Sequence, residues 1–242
     1  MEYKNHKITE AVCAFRFDPN QNISWDLTFF ADYYRLIKSE GFEKKQEIKP
    51  FQLNFNINTK EGTQSSEMLS GDTQMVFKTQ DDKHAILMGN NYISFHSLNH
   101  YPGWDNFSPN IVEKFIEIYF GMGLGKGLQS AQMIFINNFD IEKEKTLSDY
   151  LVFVPQMKGF GQGDELSHVF QSNYAIKPNK QLSLKTILNI IDDTKKVTLE
   201  SNCISNNIGN TTDWKELIKD AHDNAKNAFI NIASEYFKQV IN

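Results

Sequence analysis

A mixed α+β fold, built on mostly antiparallel sheet with helices packed on one face and a long C-terminal helix, follows from three features of the 242-residue sequence. Short apolar runs with period-two alternation come in groups joined by Asn, Asp and Gly turns, as meandering strands do. Few helical patterns fall between them, so the right-handed β-α-β repeats of a parallel sheet are not indicated. The last thirty residues carry an apolar stripe at helical spacing.

Taken in order, residues 11–17 alternate toward their end and predict a strand closed by Asp18-Pro19-Asn20. Ser24 is placed to cap a helix from Trp25 to about Ser39, with Leu27, Phe30, Tyr34 and Ile37 on one face and Gly41 at its end. Residues 51–57 (Phe-Gln-Leu-Asn-Phe-Asn-Ile) alternate without a break and predict a half-buried strand. Lys60 to Asp72 is small and polar and reads as a loop. Gln74–Thr79, Ala85–Met88 and Tyr92–Leu98 then predict an antiparallel meander with turns at residues 80–83 and 89–91. After an aromatic loop at residues 99–107, Ser108-Pro109 is expected to open a helix through about Phe120.

In the second half Ala131–Ile136, Tyr150–Val154, Val169–Ile176, Ser183–Ile190 and Lys196–Ser201 predict strands, and Gly159, Gly161 and Gly163 punctuate a loop. Thr211-Thr212-Asp213 caps a final helix from Trp214 to about Val240, whose apolar set includes Leu217, Ala221, Ala225, Phe229 and Phe237. The chain reads as one globular unit, residues 1–242, with sub-domains 1–145 and 146–242 as the alternative division.

Apolar residues make up 40% of the chain and Phe occupies 19 positions, ample for a packed core and unlike a disordered segment. Net charge is −5, and Arg16 and Arg35 are the only arginines, which disfavours nucleic acid as a partner. No apolar run reaches the ~18 residues of a membrane span. The N-terminus has no apolar signal region, so a cytoplasmic location is expected, with Cys13 and Cys203 reduced.

No motif with chemistry survives inspection. Gly121–Gly127 contains Gly-Lys, but Gly127 stands where a phosphate loop needs Ser or Thr, and a helix precedes it where a strand should. His96 and His100, with Asp105 nearby, have zinc-like spacing only if helical, and they fall in a strand and a loop. Asp81-Asp82 and Asp192-Asp193 sit in turns, where Asp is favoured for local hydrogen bonding. Neither a metal nor a cofactor is expected. Tyr101, Trp104 and Phe107 in the aromatic loop are candidate binding anchors; the alternative is that they tuck beneath the following helix.

Ile8-Thr9-Glu10-Ala11-Val12, Tyr101-Pro102, Gln132–Asn137 and Asp220-Ala221-His222 with Phe229 together resemble a large, sporadically distributed bacterial family of unknown function and similar length. Its pattern has Pro where Lys7 stands and Arg-Tyr where Gln132-Met133 stand, so no role of that arginine carries over. The resemblance implies one architecture, the patchy distribution of mobile or defence-associated genes, and Glu10, Asn137 and His222 as positions to examine. The expected function is a non-enzymatic protein-binding or accessory component, as of a phage-defence or toxin–antitoxin system. The alternatives are a hydrolase or nuclease built from Glu10, His222, Asp192 and Asp193, and a small-ligand binder with a cavity under the C-terminal helix.

Overall fold

The computed structural model describes residues 7–20, 25–49, 51–58, 63–154, 167–207 and 213–241. In chain order its elements are β1 (Ile8–Phe17), α1 (Thr28–Lys38), β2 (Lys44–Ile48), β3 (Phe51–Asn58), β4 (Thr63–Ser70), β5 (Gln74–Lys78), β6 (His84–Gly89) and β7 (Tyr92–Leu98). There follow α2 (Trp104–Phe107), a π-helical stretch over Ser108–Glu113, α3 (Lys114–Gly121), β8 (Leu128–Ile141) and α4 (Leu147–Tyr150). The chain closes with β9 (Ser167–Lys177), β10 (Lys180–Ile191), β11 (Thr194–Asn206), α5 (Trp214–Ile232) and α6 (Glu235–Val240).

Alternation places Ala11, Cys13, Phe15 and Phe17 of β1 in the core, while Glu10, Val12, Ala14 and Arg16 take the opposite positions. Antiparallel registers carry the inward set outward strand by strand, through Phe95 and Ile86 to Phe77 on one side and through Met133 to Cys203 on the other. The outcome is a nine-stranded sheet of order β2-β5-β6-β7-β1-β8-β11-β10-β9, antiparallel throughout, with β3 and β4 paired separately. Aromatic contacts tie helices to that inward set. Tyr33 and Tyr34 of α1 meet Phe77, Tyr119 of α3 stacks on Phe17, Trp214 of α5 abuts Phe15, and Phe237 of α6 abuts Phe139.

One plan is used twice. Each half of the chain runs strand, helix, meander, helix, and in each the last meander strand returns beside the first: β7 beside β1, and β11 beside β8. The two opening strands, β1 and β8, then pair with each other at the centre of the sheet. Beneath lie two apolar clusters, one centred on Phe15, Phe95 and Tyr119 and the other on Phe139, Tyr150 and Phe237.

Several elements differ from expectation. Residues 63–70 form β4, not loop, and Lys44–Ile48 forms a strand that its charged composition hides. Helical backbone starts at Trp104, after Gly103 at φ 86°, so Pro109 lies inside the helical run, and the Ser108 hydroxyl bonds Glu113. Residues 147–150 are helical because Thr146 and Asp149 form a capping box, leaving of the expected 150–154 strand only a bridge from Leu151 to Ala233. The final helix breaks at Ala233, whose backbone is extended, and Ser234 caps α6. α1 starts at Thr28, whose N–H donates to Asp26; Ser24, Thr211, Thr212 and the glycines 159, 161 and 163 lie outside the described residues.

Candidate functional site

The aromatic loop turns inward. Tyr101 and Phe107 are buried, with the Tyr101 ring 5.8 Å from Phe107 and 5.6 Å from Phe135. Trp104 is half-buried and stacks on His222 at 4.2 Å and 23°. Phe135 meets His222 edge-on at 5.8 Å, while the imidazole Nδ1 reaches Asp223 Oδ1 at 3.0 Å. Burial pushes the imidazole below its ordinary pKa, outweighing the pull of Asp223. Tyr101, Trp104, Phe135 and His222 join the loop to α5 and β8.

Glu10 belongs to the other side of the sheet, in the alternation opposite to Ala11. Its Oε1 lies 2.8 Å from His96 Nδ1, and His96 Nε2 lies 2.8 Å from Ser94 Oγ. Ser94 and His96 share a side because they are two apart on β7, and Glu10 reaches them diagonally from β1. The order hydroxyl, imidazole, carboxylate is that of a nucleophile, its base and an orienting acid. Ser94, however, is fully buried, so its oxygen faces no solvent from which an electrophile could arrive. The chain of bonds works as a polar brace between β1 and β7.

The remaining candidates disperse. Asn137 is buried on β8 between the two apolar clusters, its side-chain nitrogen without a hydrogen-bond partner among the described residues. Asp192 and Asp193 occupy the β10–β11 turn with φ of 49° and 62°, a left-handed pair that Asp tolerates. Asp81 accepts from the Thr79 hydroxyl at 2.8 Å and the Lys83 N–H at 3.1 Å, which holds its carboxyl down to about 2. Among the described residues no group of three His, Cys, Asp or Glu could hold a metal ion. Gly121–Gly127 is a helix end: Gly125 sits at φ 77°, where a Cβ would fall 2.5 Å from the Phe120 ring.

Cys13 and Cys203 are free and buried, each registered against Met133 from opposite sides of β8. Burial raises both thiols, that of Cys203 to about 11. A full strand between them prevents a disulfide.

What composition did not reveal is a concentration of exposed apolar side chains at one end of the sheet. Among the described residues β9 has only β10 as a strand neighbour, so no described strand pairs its other margin. Val169 is 64% exposed, Tyr174 47% and Ile176 41%, and nearby Val152 and Phe153 are 65% and 53% exposed. Alongside runs an open groove of about 480 Å³, lined by Phe153, Phe170, Tyr174, Leu182 and Leu184 and floored by Ala228 and Ile232 of α5. A larger hollow of about 690 Å³ beside Phe237 and Val240 of α6 holds Lys7, Lys196, Asp140 and Glu142, whose opposite charges offset one another. The β9 segment was legible as a strand; its position at the margin depends on pairings far apart in the chain.

No family model matches this chain, and no curated protein is significantly similar to it.

Proposed function

We propose that this chain is a non-enzymatic protein-binding component that receives an extended segment of a partner along β9, suited to an accessory part of a phage-defence or toxin–antitoxin system. The described helices, in this reading, lie against one face of the sheet and leave the β9 margin and its groove for the partner. The observation that carries it is the exposure of Val169, Tyr174 and Ile176 on a strand whose outer margin no described strand pairs. Such a margin offers backbone N–H and C=O groups in register, and apolar side chains beside it supply the energy of strand addition. The groove is open along its length, which suits a chain better than a small molecule. The resemblance to a sporadically distributed bacterial family is what suggests the defence setting.

The test is affinity capture from the native host with the wild type and with V169E/Y174E. A carboxylate at each exposed position should weaken capture of a stoichiometric partner by about tenfold or more, equivalent to about 1.4 kcal/mol. Unchanged stoichiometry in the variant would sink the assignment of β9.

A further inference from the structure

β9 reads nearly the same in both directions about Ser172. Val169 and Ala175 are aliphatic, Phe170 and Tyr174 aromatic, and Gln171 and Asn173 carboxamides. Register against β10 pairs Phe170, Ser172 and Tyr174 with Thr186, Leu184 and Leu182, so these share the groove side, and Val169, Gln171, Asn173 and Ala175 take the other. A strand with this symmetry complements itself: antiparallel pairing about a two-fold axis at Ser172 sets aromatic against aromatic, amide against amide and aliphatic against aliphatic. An interface with a two-fold axis requires that self-complementarity, whereas a foreign strand gains nothing from it.

Charge points the same way. From Ser167 to Ile176 there is no Asp, Glu, Lys or Arg, so two copies brought together oppose no like charges. The margin at β2 is the reverse case. It is five residues long and carries Lys44, Lys45 and Glu47, with Lys44 bonded to Asp82 at 2.6 Å. Short, charged strands of that kind resist edge-to-edge pairing.

We infer that the occupant of the β9 margin is a second copy of this chain, adding its own β9 antiparallel across Ser172. The inference rests on the reading of β9 as a protein-binding margin and names the partner. In the pair, Gln171 faces the copy's Asn173 with amides able to hydrogen-bond across the strands. Phe170 faces the copy's Tyr174, which joins the two apolar grooves into one seam and covers the exposed tyrosine ring.

Light scattering on size-exclusion fractions of the full chain tests it through a charge swap. The wild type should run as a dimer at micromolar concentration. Q171K/N173K places lysine opposite lysine twice and should run as a monomer, while Q171K/N173E places lysine opposite glutamate twice and should recover the dimer. Both positions are exposed, and Q171K, which faces Lys185 of β10, is common to the two variants, so far-UV circular dichroism should match the wild type in both while their masses differ. A monomeric wild type, a dimeric Q171K/N173K, or a monomeric Q171K/N173E would each overturn the inference. Should the wild type be monomeric while V169E/Y174E still loses a host partner, the second copy is excluded and the protein-binding margin stands.

Discussion

His222 shows how a side chain that looks chemical in sequence is bound into structure. With Trp104 stacked on it and Phe135 edge-on, its imidazole is pushed below its ordinary pKa because burial disfavours the imidazolium. Its folded pKa lies below the unfolded value of about 6.5, so the unfolded chain binds more protons once the pH drops beneath that value. The stability that the neutral ring contributes is therefore complete above about 6.5 and is lost as pH falls through the window below it. Phe at this position keeps the stack and cannot titrate. The melting temperature of H222F should accordingly fall less steeply than that of the wild type between about pH 7 and pH 5, a range set by the histidine's ordinary titration. His84, which burial also pushes down, is present in both proteins and cancels from the comparison. Superimposable pH profiles would show that His222 does not titrate in this range. The same scale explains why Glu10 could be singled out from sequence and its role could not: its partner His96 is 86 positions away, and only the β1–β7 register brings them together.

Elements were legible where side-chain pattern decides the structure. The unbroken alternation of Phe51–Ile57 became β3, and the paired meander of residues 74–98 became β5, β6 and β7. Pattern is silent where tertiary pairing decides. β4 is small and polar and β2 is mostly charged, and each is extended because an antiparallel neighbour satisfies its backbone. The break between α5 and α6 has a similar origin. The apolar spacing runs on to Phe237, but Val152 N–H bonds the Ile232 carbonyl and Ser234 N–H bonds the Tyr150 carbonyl, both at 2.8 Å, drawing residue 233 out of the helix. Ser234 then starts α6 by accepting from the Phe237 N–H at 3.0 Å. Removing that acceptor in S234A should cost about 1 kcal/mol, the usual value of a helix N-cap. Urea unfolding would measure it, and a loss near zero would mean that the backbone bonds alone place α6.

At the scale of the molecule, the boundary suggested near residue 145 falls just after β8, a strand hydrogen-bonded to β1 on one side and β11 on the other. A division there would strip one long flank of β8, and Phe135 would lose the cover that His222 provides from α5. Calorimetry should therefore show one transition, with equal calorimetric and van't Hoff enthalpies. Two resolved transitions would establish separate sub-domains. The repeated strand-helix-meander-helix plan puts the natural seam earlier, between β7 and β8, where the second half begins its copy of the first. No repeat is visible in the residues themselves, since the two halves share an order of elements and not a pattern of side chains.

The lysines and glutamate of β2 bear on how far assembly could proceed. Two molecules joined through β9 would have consumed the neutral border of the nine-stranded sheet, and both outer flanks of the merged sheet would then be the charged β2 strands. Further edge-to-edge growth of that merged sheet would be resisted at both of its ends.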